Sequence, residues 1–398
     1  MKIAILSDFH LGYERFRGDA YAQAGEALNK AADLADMIII PGDIFDSRTP
    51  KPDVIAEAIN IFRELAARKW DCEVTGFVGE GKHYTKVPII AIPGTHERRA
   101  QDAVDPVGVL GLAGLVVDVG NATAIVEGGG EAVAVRGVGG IADDRFNDVV
   151  KEINPEPVRG AFNIFMFHES LYELLPFNEK FMHYDQLPKG FDLYVNGHMH
   201  NKVEERVHGK ALLIPGSTVL TQLKPGEQEA KGFWLFDTKT YTYRFEKINS
   251  RRFVILRAGL SSAKDGEFVE KLRKDIDGVI KSGNGRPVIR IVVEGKSKRS
   301  ADIELELNDI PRRYKDLAVI EISKPVVGGQ EADAATVAES AMFERMSVRD
   351  YGLAVFIEKI AGAKVDLGNL SAAELFEILG SDANKDKAVK NALERLVG

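Results

Sequence analysis

The sequence predicts an α/β protein whose main domain is a two-sheet β-sandwich flanked by helices, followed by a small α/β domain and a helical C-terminal segment. Three observations carry this. Short apolar runs alternate with helix-spaced amphipathic stretches over residues 3–92, strand-like runs crowd residues 115–247, and a fresh strand–helix–strand–helix–strand pattern begins at Arg252. The boundaries that follow are 1–248, 249–323, a linker 324–345, and 346–398.

Residues 3–7 (Ile-Ala-Ile-Leu-Ser) make a strand too continuously apolar to be half exposed. Helical spacing covers 20–35, with Ala24, Ala27, Leu28, Ala31 and Leu34 on one side. Residues 37–40 are the next buried strand, closed by Pro41-Gly42. The stretch 53–69 is a longer helix carrying Val54, Ile55, Ala58, Ile61, Phe62 and Leu65 on one face. Pro52 sits near its start, where a missing N–H does no harm. Residues 71–86, rich in glycine and polar side chains, read as a surface hairpin. Residues 87–92 restore the strand, and Pro93-Gly94 ends it. Strands are expected at 115–119, 122–126 and 132–138, then a charged helix at 143–152 and a strand at 162–167. An aromatic-rich loop precedes strands at 192–195, 202–207, 211–214, 232–237 and 241–247, which have hairpin-like spacing.

The second domain reads as strand 253–256, helix 264–280, strand 287–293, helix from 302 and strand 317–322. Residues 326–340 mix Gly, Ala and acidic residues without a core pattern, as a linker does. Beyond it, Leu353, Phe356, Ile357 and Ile360 form a helical stripe, and Ser371 with Glu374 is a capping box. So short a segment cannot cover both sides of its helices, so their stripes need a host, either this chain or a partner protein.

At 398 residues the chain can bury a substantial core, and 45% hydrophobic with 28% charged residues is an ordinary soluble composition. Cys72 is the single cysteine, which excludes an internal disulfide and fits a reducing cytosol. No apolar run reaches membrane-span length, and Met1-Lys2-Ile3-Ala4 passes directly into a strand, so neither span nor signal peptide is expected. The net charge of −8 argues against a non-specific nucleic-acid coat. It hides a gradient, because residues 251–323 hold 16 Lys and Arg against 12 Asp and Glu. That positive segment is either a phosphate-facing surface or a solvated face.

Ligand-type residues collect at strand ends. Asp8 and His10 stand two apart, a spacing that aims both the same way from one strand end, and His198 and His200 repeat it. Asp43 follows a glycine at the next strand end, where its two oxygens could bridge two cations. His168 and His96 close two further strands. Sites outside the carboxyl ends of strands are where an α/β sheet leaves a crevice, and mixed N/O donors suit Mn, Fe or Zn.

Asp8 with His10, Gly42-Asp43 with Asp46, Gly94-Thr95-His96-Glu97, the single His168, and Gly197-His198 with His200, in that order, resemble the calcineurin-like metallophosphoesterase superfamily. Within it, residues 1–12, Gly42-Asp43-Ile44-Phe45-Asp46, Phe167-His168-Glu169-Ser170 and Gly197-His198-Met199-His200 are most similar to the archaeal Mre-eleven-type DNA repair nucleases, relatives of bacterial SbcD. The resemblance covers the first 250 residues well and the remainder by layout only.

The resemblance implies the metallophosphoesterase fold and two Mn²⁺ ions per subunit. Asp8, His10, Asp43 and His200 would hold one ion; Asp43, His168 and His198 would hold the other. The family places asparagine in the second set where this chain has Thr95, which could bind directly, act through a water, or leave a position open. His96 would be the catalytic histidine, off the metals. The second domain would cap DNA, with Arg251, Arg252, Lys296, Lys298, Arg299, Arg312 and Arg313 as candidate phosphate contacts. The helical tail would dock a Rad-fifty-type coiled-coil ATPase. Helix 53–69 and the segment after His96 would build a homodimer, with plain core packing as the competing expectation.

The function implied is a manganese-dependent 3′-to-5′ exonuclease and single-strand endonuclease in double-strand-break repair, in the cytoplasm on the nucleoid. Two alternatives stand beside it. One is a phosphodiesterase or phosphatase of a small molecule or protein, and the other is a DNA-end-binding scaffold with weak catalysis.

Overall fold

The computed structural model describes residues 1–79, 85–98, 103–176, 180–259, 265–283, 285–294 and 301–323, with Phe356 and Leu375, both helical, beyond these. The linker and the tail apart from those two residues, and Lys296, Lys298 and Arg299, lie outside the described residues.

In chain order the main domain contains β1 (Lys2–Ile5), α1 (Arg17–Leu34), β2 (Met37–Pro41), α2 (Pro52–Ala66), β3 (Cys72–Gly79), β4 (Ile89–Ile92), α3 (Pro106–Leu112) and β5 (Val117–Asp118). It continues with β6 (Ala122–Gly128), β7 (Glu131–Val138), α4 (Asp143–Ile153), β8 (Phe162–Phe167), β9 (Leu193–Asn196), β10 (Val203–Val207), β11 (Lys210–Ile214), β12 (Gly232–Asp237) and β13 (Thr242–Lys247). Six strands form one sheet in the order β13-β12-β1-β2-β4-β5, and seven form the other, β10-β11-β9-β8-β7-β6-β3.

The continuous apolar runs are explained by burial on both faces. Ile3, Ile5, Met37 and Ile39 point between the sheets, where they meet Val135, Ile164, Met166 and Val195. Their neighbours Ala4, Leu6, Ile38 and Ile40 point outward, onto α1 and α2. The opposite outer face packs Phe165, Phe167 and Tyr194 against Phe146 and Val150 of α4. The result is a helix–sheet–sheet–helix stack. The stripe of α2 (Val54, Ala58, Phe62 and Leu65) is buried on the first sheet, as plain core packing requires.

Two local features go beyond the expectations. Within the stretch 71–86 expected as a hairpin, the Val74 N–H donates to Lys86 O at 3.0 Å. Cys72–Gly79 is an edge strand pairing antiparallel with β6, with a register shift between Val74 and Gly76. Its buried–exposed alternation is confined to Cys72–Thr75, and the glycines beyond hide it. Helix α3 was not expected, because Gly108 and Gly111 depress helix propensity. Its start is nonetheless marked, since the Asp105 carboxylate accepts from the Gly108 N–H at 2.8 Å and Pro106 occupies the first turn.

The second domain is β14 (Phe253–Gly259), α5 (Asp265–Lys281), β15 (Val288–Glu294), α6 (Ala301–Arg313) and β16 (Val319–Ser323), an all-parallel sheet in that strand order. Phe253 and Val288 pack against Phe16, Ala20, Val219, Leu220 and Leu223 of the main domain.

Candidate metal centre

β1, β2 and β4 run parallel in one sheet, as do β8 and β9 in the other, and the loops leaving their carboxyl ends carry the ligand-type residues. Backbone bonds zip these loops together beyond the strands. The Asp8 N–H donates to Gly42 O at 3.2 Å, His10 N–H to Asp43 O at 3.1 Å, and Gly197 N–H to Phe167 O at 3.1 Å. Gly42 has φ +88°, and a Cβ there would strike the His168 ring, so only glycine lets the loops close this far.

The pairing of Asp8 with His10 does not come from the pleat, because β1 ends at Ile5. Asp8 (φ 54°), His10 (47°), Asp43 (50°) and His198 (69°) are left-handed instead. Each such residue costs on the order of 1–3 kcal/mol and persists only where its surroundings over-determine it. Here those surroundings are two sheets and a shared pocket. Nor does the pleat pair His198 with His200, which lie beyond the end of β9 at Asn196; His200 meets Asp8 and His10, whereas His198 Nε2 faces Ser170.

Asp8, His10 and His200 offer ligand atoms within 4.8 Å of one another, and so do Asp8, Asp43 and His168. The Nε2 atoms of His10 and His200 are 3.1 Å apart, each 3.8 Å from Asp8 Oδ1. His10 Nδ1 faces Asp46 Oδ1 at 3.2 Å, and His168 Nδ1 faces Pro41 O at 2.7 Å. Both partners only accept, so both Nδ1 atoms carry the proton and both Nε2 atoms are bare in the neutral rings. In the neutral ring His168 Nε2 would set its lone pair against that of Asp43 Oδ2, 3.2 Å away, and a proton or a cation between them relieves this. Asp8 Oδ1, His168 Nε2 and Thr95 Oγ1 are buried without a hydrogen-bond partner among the described residues. Buried nitrogen and oxygen atoms left without hydrogen-bond partners, beside carboxylates, fit divalent cations.

Electrostatics agree. Burial opposes charge on His10, but Asp46, Asp43 and Asp8 outweigh it and push the imidazole up to about 9. Burial likewise opposes charge on His168, and Asp43 and Asp8 outweigh it, raising that ring to about 10. Burial, then His10, hold His200 well below its ordinary value. Asp8 is raised by burial. Burial would raise Asp43 too, but His168 and His96 hold it well below. Without a cation, protons on His10 and His168 do a cation's work.

Of the residues singled out in the sequence, Asp8, His10, Asp43, His168 and His200 converge in this pocket. His198 packs its ring 5.3 Å from that of His168, but its Nε2 lies 3.0 Å from Ser170 Oγ. His96 donates its N–H to Asp43 Oδ1 at 2.9 Å, and its Nδ1 lies 3.1 Å from Asp46 O. Its ring centroid is 5.0 Å from that of His10. Arg251 is bonded to Asp19 and to Arg286 O, and Arg252 to Val279 O and Ser282, so both serve the domain junction and the end of α5. Arg312 and Arg313 lie at the end of α6 with exposed side chains.

Sequence reasoning missed the supports. Buried Glu97 accepts from the N–H groups of Asp43 (3.1 Å), Phe45 (2.8 Å) and Gly94 (2.8 Å), tying the His96 loop to the Asp43 loop. Burial and the nearby Asp43 carboxylate raise its carboxyl well above the usual range. Asn196 braces the backbone of Glu169 through both its amide atoms. Glu97 stands beside His96 in the motif and could have been suspected; Asn196 gives no signal beyond following β9's apolar run.

These features define a phosphoesterase class. The calcineurin-like phosphoesterase profile matches residues 1–202, and the chain belongs to that family. It is similar to the DNA double-strand break repair protein Mre11 of Saccharolobus solfataricus, 24% identical over 79% of this chain and 82% of that protein. The protein of the same description from Sulfurisphaera tokodaii is 26% identical over 79% and 80%. A solved structure described as a novel archaeal phosphodiesterase matches 62% of this chain and all of its own at 15% identity, with a TM-score of 0.30. Among the described residues no helix is long and apolar enough to cross a membrane.

Proposed function

We propose that the chain is a manganese-dependent DNA nuclease of double-strand-break repair, a 3′-to-5′ exonuclease on duplex ends and an endonuclease on single strands. The observation that carries this reading is the close cluster of metal-ligand-type atoms of Asp8, His10, Asp43, His168 and His200, with no hydrogen-bond partner for Asp8 Oδ1 or His168 Nε2 among the described residues, in a chain whose curated relatives are named for break repair. Asp8, His10, Asp43 and His200 would hold one ion and Asp43 and His168 the other, with Asp43 shared between them. His198 and Thr95 would complete the second set. Bound ions would supply Lewis acidity toward the phosphodiester and a nucleophile at neutral pH.

The chain's own residues do the remaining work. Asp46 and Pro41 O fix the tautomers of His10 and His168. His96 has Nδ1 against the Asp46 carbonyl, which leaves Nε2 to carry or give a proton at the leaving oxygen. The second domain would cover DNA, Arg312 and Arg313 would meet phosphates, the tail would dock a coiled-coil ATPase, and two copies would pair.

The test is cleavage of an end-labelled duplex and of bis-p-nitrophenyl phosphate, each with manganese. Mononucleotide release from 3′ ends supports the nuclease. Turnover of the small ester with intact duplex ends would replace it with a small-substrate phosphodiesterase, and manganese uptake below two equivalents without turnover would leave a DNA-end-binding scaffold.

A further inference from the structure

Residues 219–228 lie beyond the family profile and were not singled out by any motif, yet they reach the metal centre. They are built on a buried ion pair, Glu227 with Lys231, 3% and 5% exposed and 3.2 Å apart. Glu227 also accepts from the N–H groups of Thr221 (2.9 Å), Gln222 (2.7 Å) and Leu223 (2.7 Å), three successive amides curled around one carboxylate. Lys231 and these amides hold its carboxyl below the usual range, against burial, which would raise it.

The Thr221 hydroxyl lies 3.1 Å from Glu227 Oε1 and 2.6 Å from His200 Nδ1. An ionised carboxylate only accepts, so the hydroxyl proton goes to Glu227 and the hydroxyl oxygen must accept from His200. Nδ1 therefore carries the ring proton, and Nε2 is bare where it meets Asp8 and His10. The Gln222 amide nitrogen, 3.2 Å from the same Nδ1, favours the other tautomer. It is longer and neutral, whereas the bond to Glu227 is charge-assisted and about twice as strong, so the Glu227 relay wins.

Leu223 closes this loop in the left-handed region at φ 55°, a conformation that a branched side chain rarely adopts. Both its backbone groups are tied. Glu227 takes its N–H, and Arg290 Nη1 of β15, in the second domain, donates to its carbonyl at 2.9 Å. We propose that Glu227, through Thr221, and Arg290, through the Leu223 carbonyl, are positioning residues that hold His200 with Nδ1 protonated and Nε2 aimed at Asp8 and His10. The second domain thus completes the support of one ligand in the first. This rests on the reading of the cluster as a two-ion centre.

The experiment uses the full chain, with manganese titrated by calorimetry and the His200 ring nitrogens followed by NMR in metal-free protein. Wild type should take up two equivalents and display a protonated Nδ1. Thr221→Val and Arg290→Leu should weaken one equivalent by about tenfold or more and leave the other unchanged, as loss of an outer partner does. Arg290→Lys should recover most of the affinity, because one donor suffices for a carbonyl. Ser323→Ala removes the other partner of Arg290, 2.8 Å from its Nε, and should change nothing. If Arg290→Leu does not fold, the near-isosteric Thr221→Val decides alone. Equal weakening of both equivalents, unchanged affinity, or a proton on Nε2 in wild type would overturn the proposal while the nuclease reading stands. A wild type that fails to bind two equivalents would take both down.

Discussion

His96 has a third of its side chain open to solvent (33%), beside Asp8, His10, Asp43 and His168, which are almost wholly buried. A group that must meet substrate needs that opening, and a ligand does not. Replacing His96 by serine should therefore leave manganese uptake intact and lower DNA cleavage by at least about 100-fold, the scale of a positioned acid or base. Calorimetry beside a cleavage assay checks this, and lost metal would mean that His96 is a ligand. Asp118 shows the opposite economy. Burial, then the neighbouring Asp105, push its carboxyl up to about 6 from 3.8, and only the Gly120 N–H compensates. The folded state thus prefers it protonated, so ionisation costs stability as pH rises from about 4 through 6, and below pH 4 nothing is lost. Asp118→Asn keeps an oxygen for Gly120 and should stabilise at pH 7.5 by on the order of 1 kcal/mol, allowing for partial exposure, or about 2–4 °C. Scans at pH 4 should show no gain. Burial also pushes the Cys72 thiol up to about 12, so alkylation at pH 8 should run about a thousandfold slower in the native chain than in urea.

At the scale of elements, the strands that present the site were legible because burial on both faces writes an unbroken apolar run, as in Met37–Pro41 and Phe162–Phe167. The residues that cluster here were legible because Asp and His are uncommon at the ends of such runs. The way they come together was not, because positive φ at Asp8, His10, Asp43 and His198 is enforced by tertiary closure and leaves no periodicity. The same holds for the Glu227 loop, whose partner His200 is 27 positions upstream. Glu97 makes the element-scale argument testable. Its two oxygens collect three amides from two loops, and Gln would offer one oxygen and a donor facing other donors. Glu97→Gln should cost about 2–4 kcal/mol of stability and weaken metal binding, because Asp43 and His96 lose their common brace. Chemical denaturation with manganese titration measures both, and a variant as stable as wild type would show that the loops hold each other without it.

The whole molecule divides its basic residues between holding domains together and facing outward. Arg251 grips Asp19, Arg15 bonds Glu321, and Phe253 and Val288 sit among Phe16, Val219 and Leu223, so the second domain is fastened where the Glu227 loop lies. The surplus of positive charge in residues 251–323 is thus partly consumed at the junction. Arg312 and Arg313 are placed differently. Their side chains are 83% and 51% exposed, and among the described residues they pair with Asp309, at 3.3 and 3.9 Å, pairs whose exposure makes them worth little. Each neutralised phosphate adds about 0.9 to the slope of log affinity against log salt on duplex DNA. Replacing both arginines by alanine should therefore flatten that slope by roughly 2 and weaken binding equally on unrelated sequences. Arg251→Ala should instead lower the unfolding temperature and leave the slope unchanged, because its guanidinium is spent on Asp19. Anisotropy titrations between 50 and 200 mM salt separate the two. An unaltered slope in the double variant would place the DNA on another face of the second domain, and a flattened slope in Arg251→Ala would mean that DNA breaks the junction open to reach that arginine.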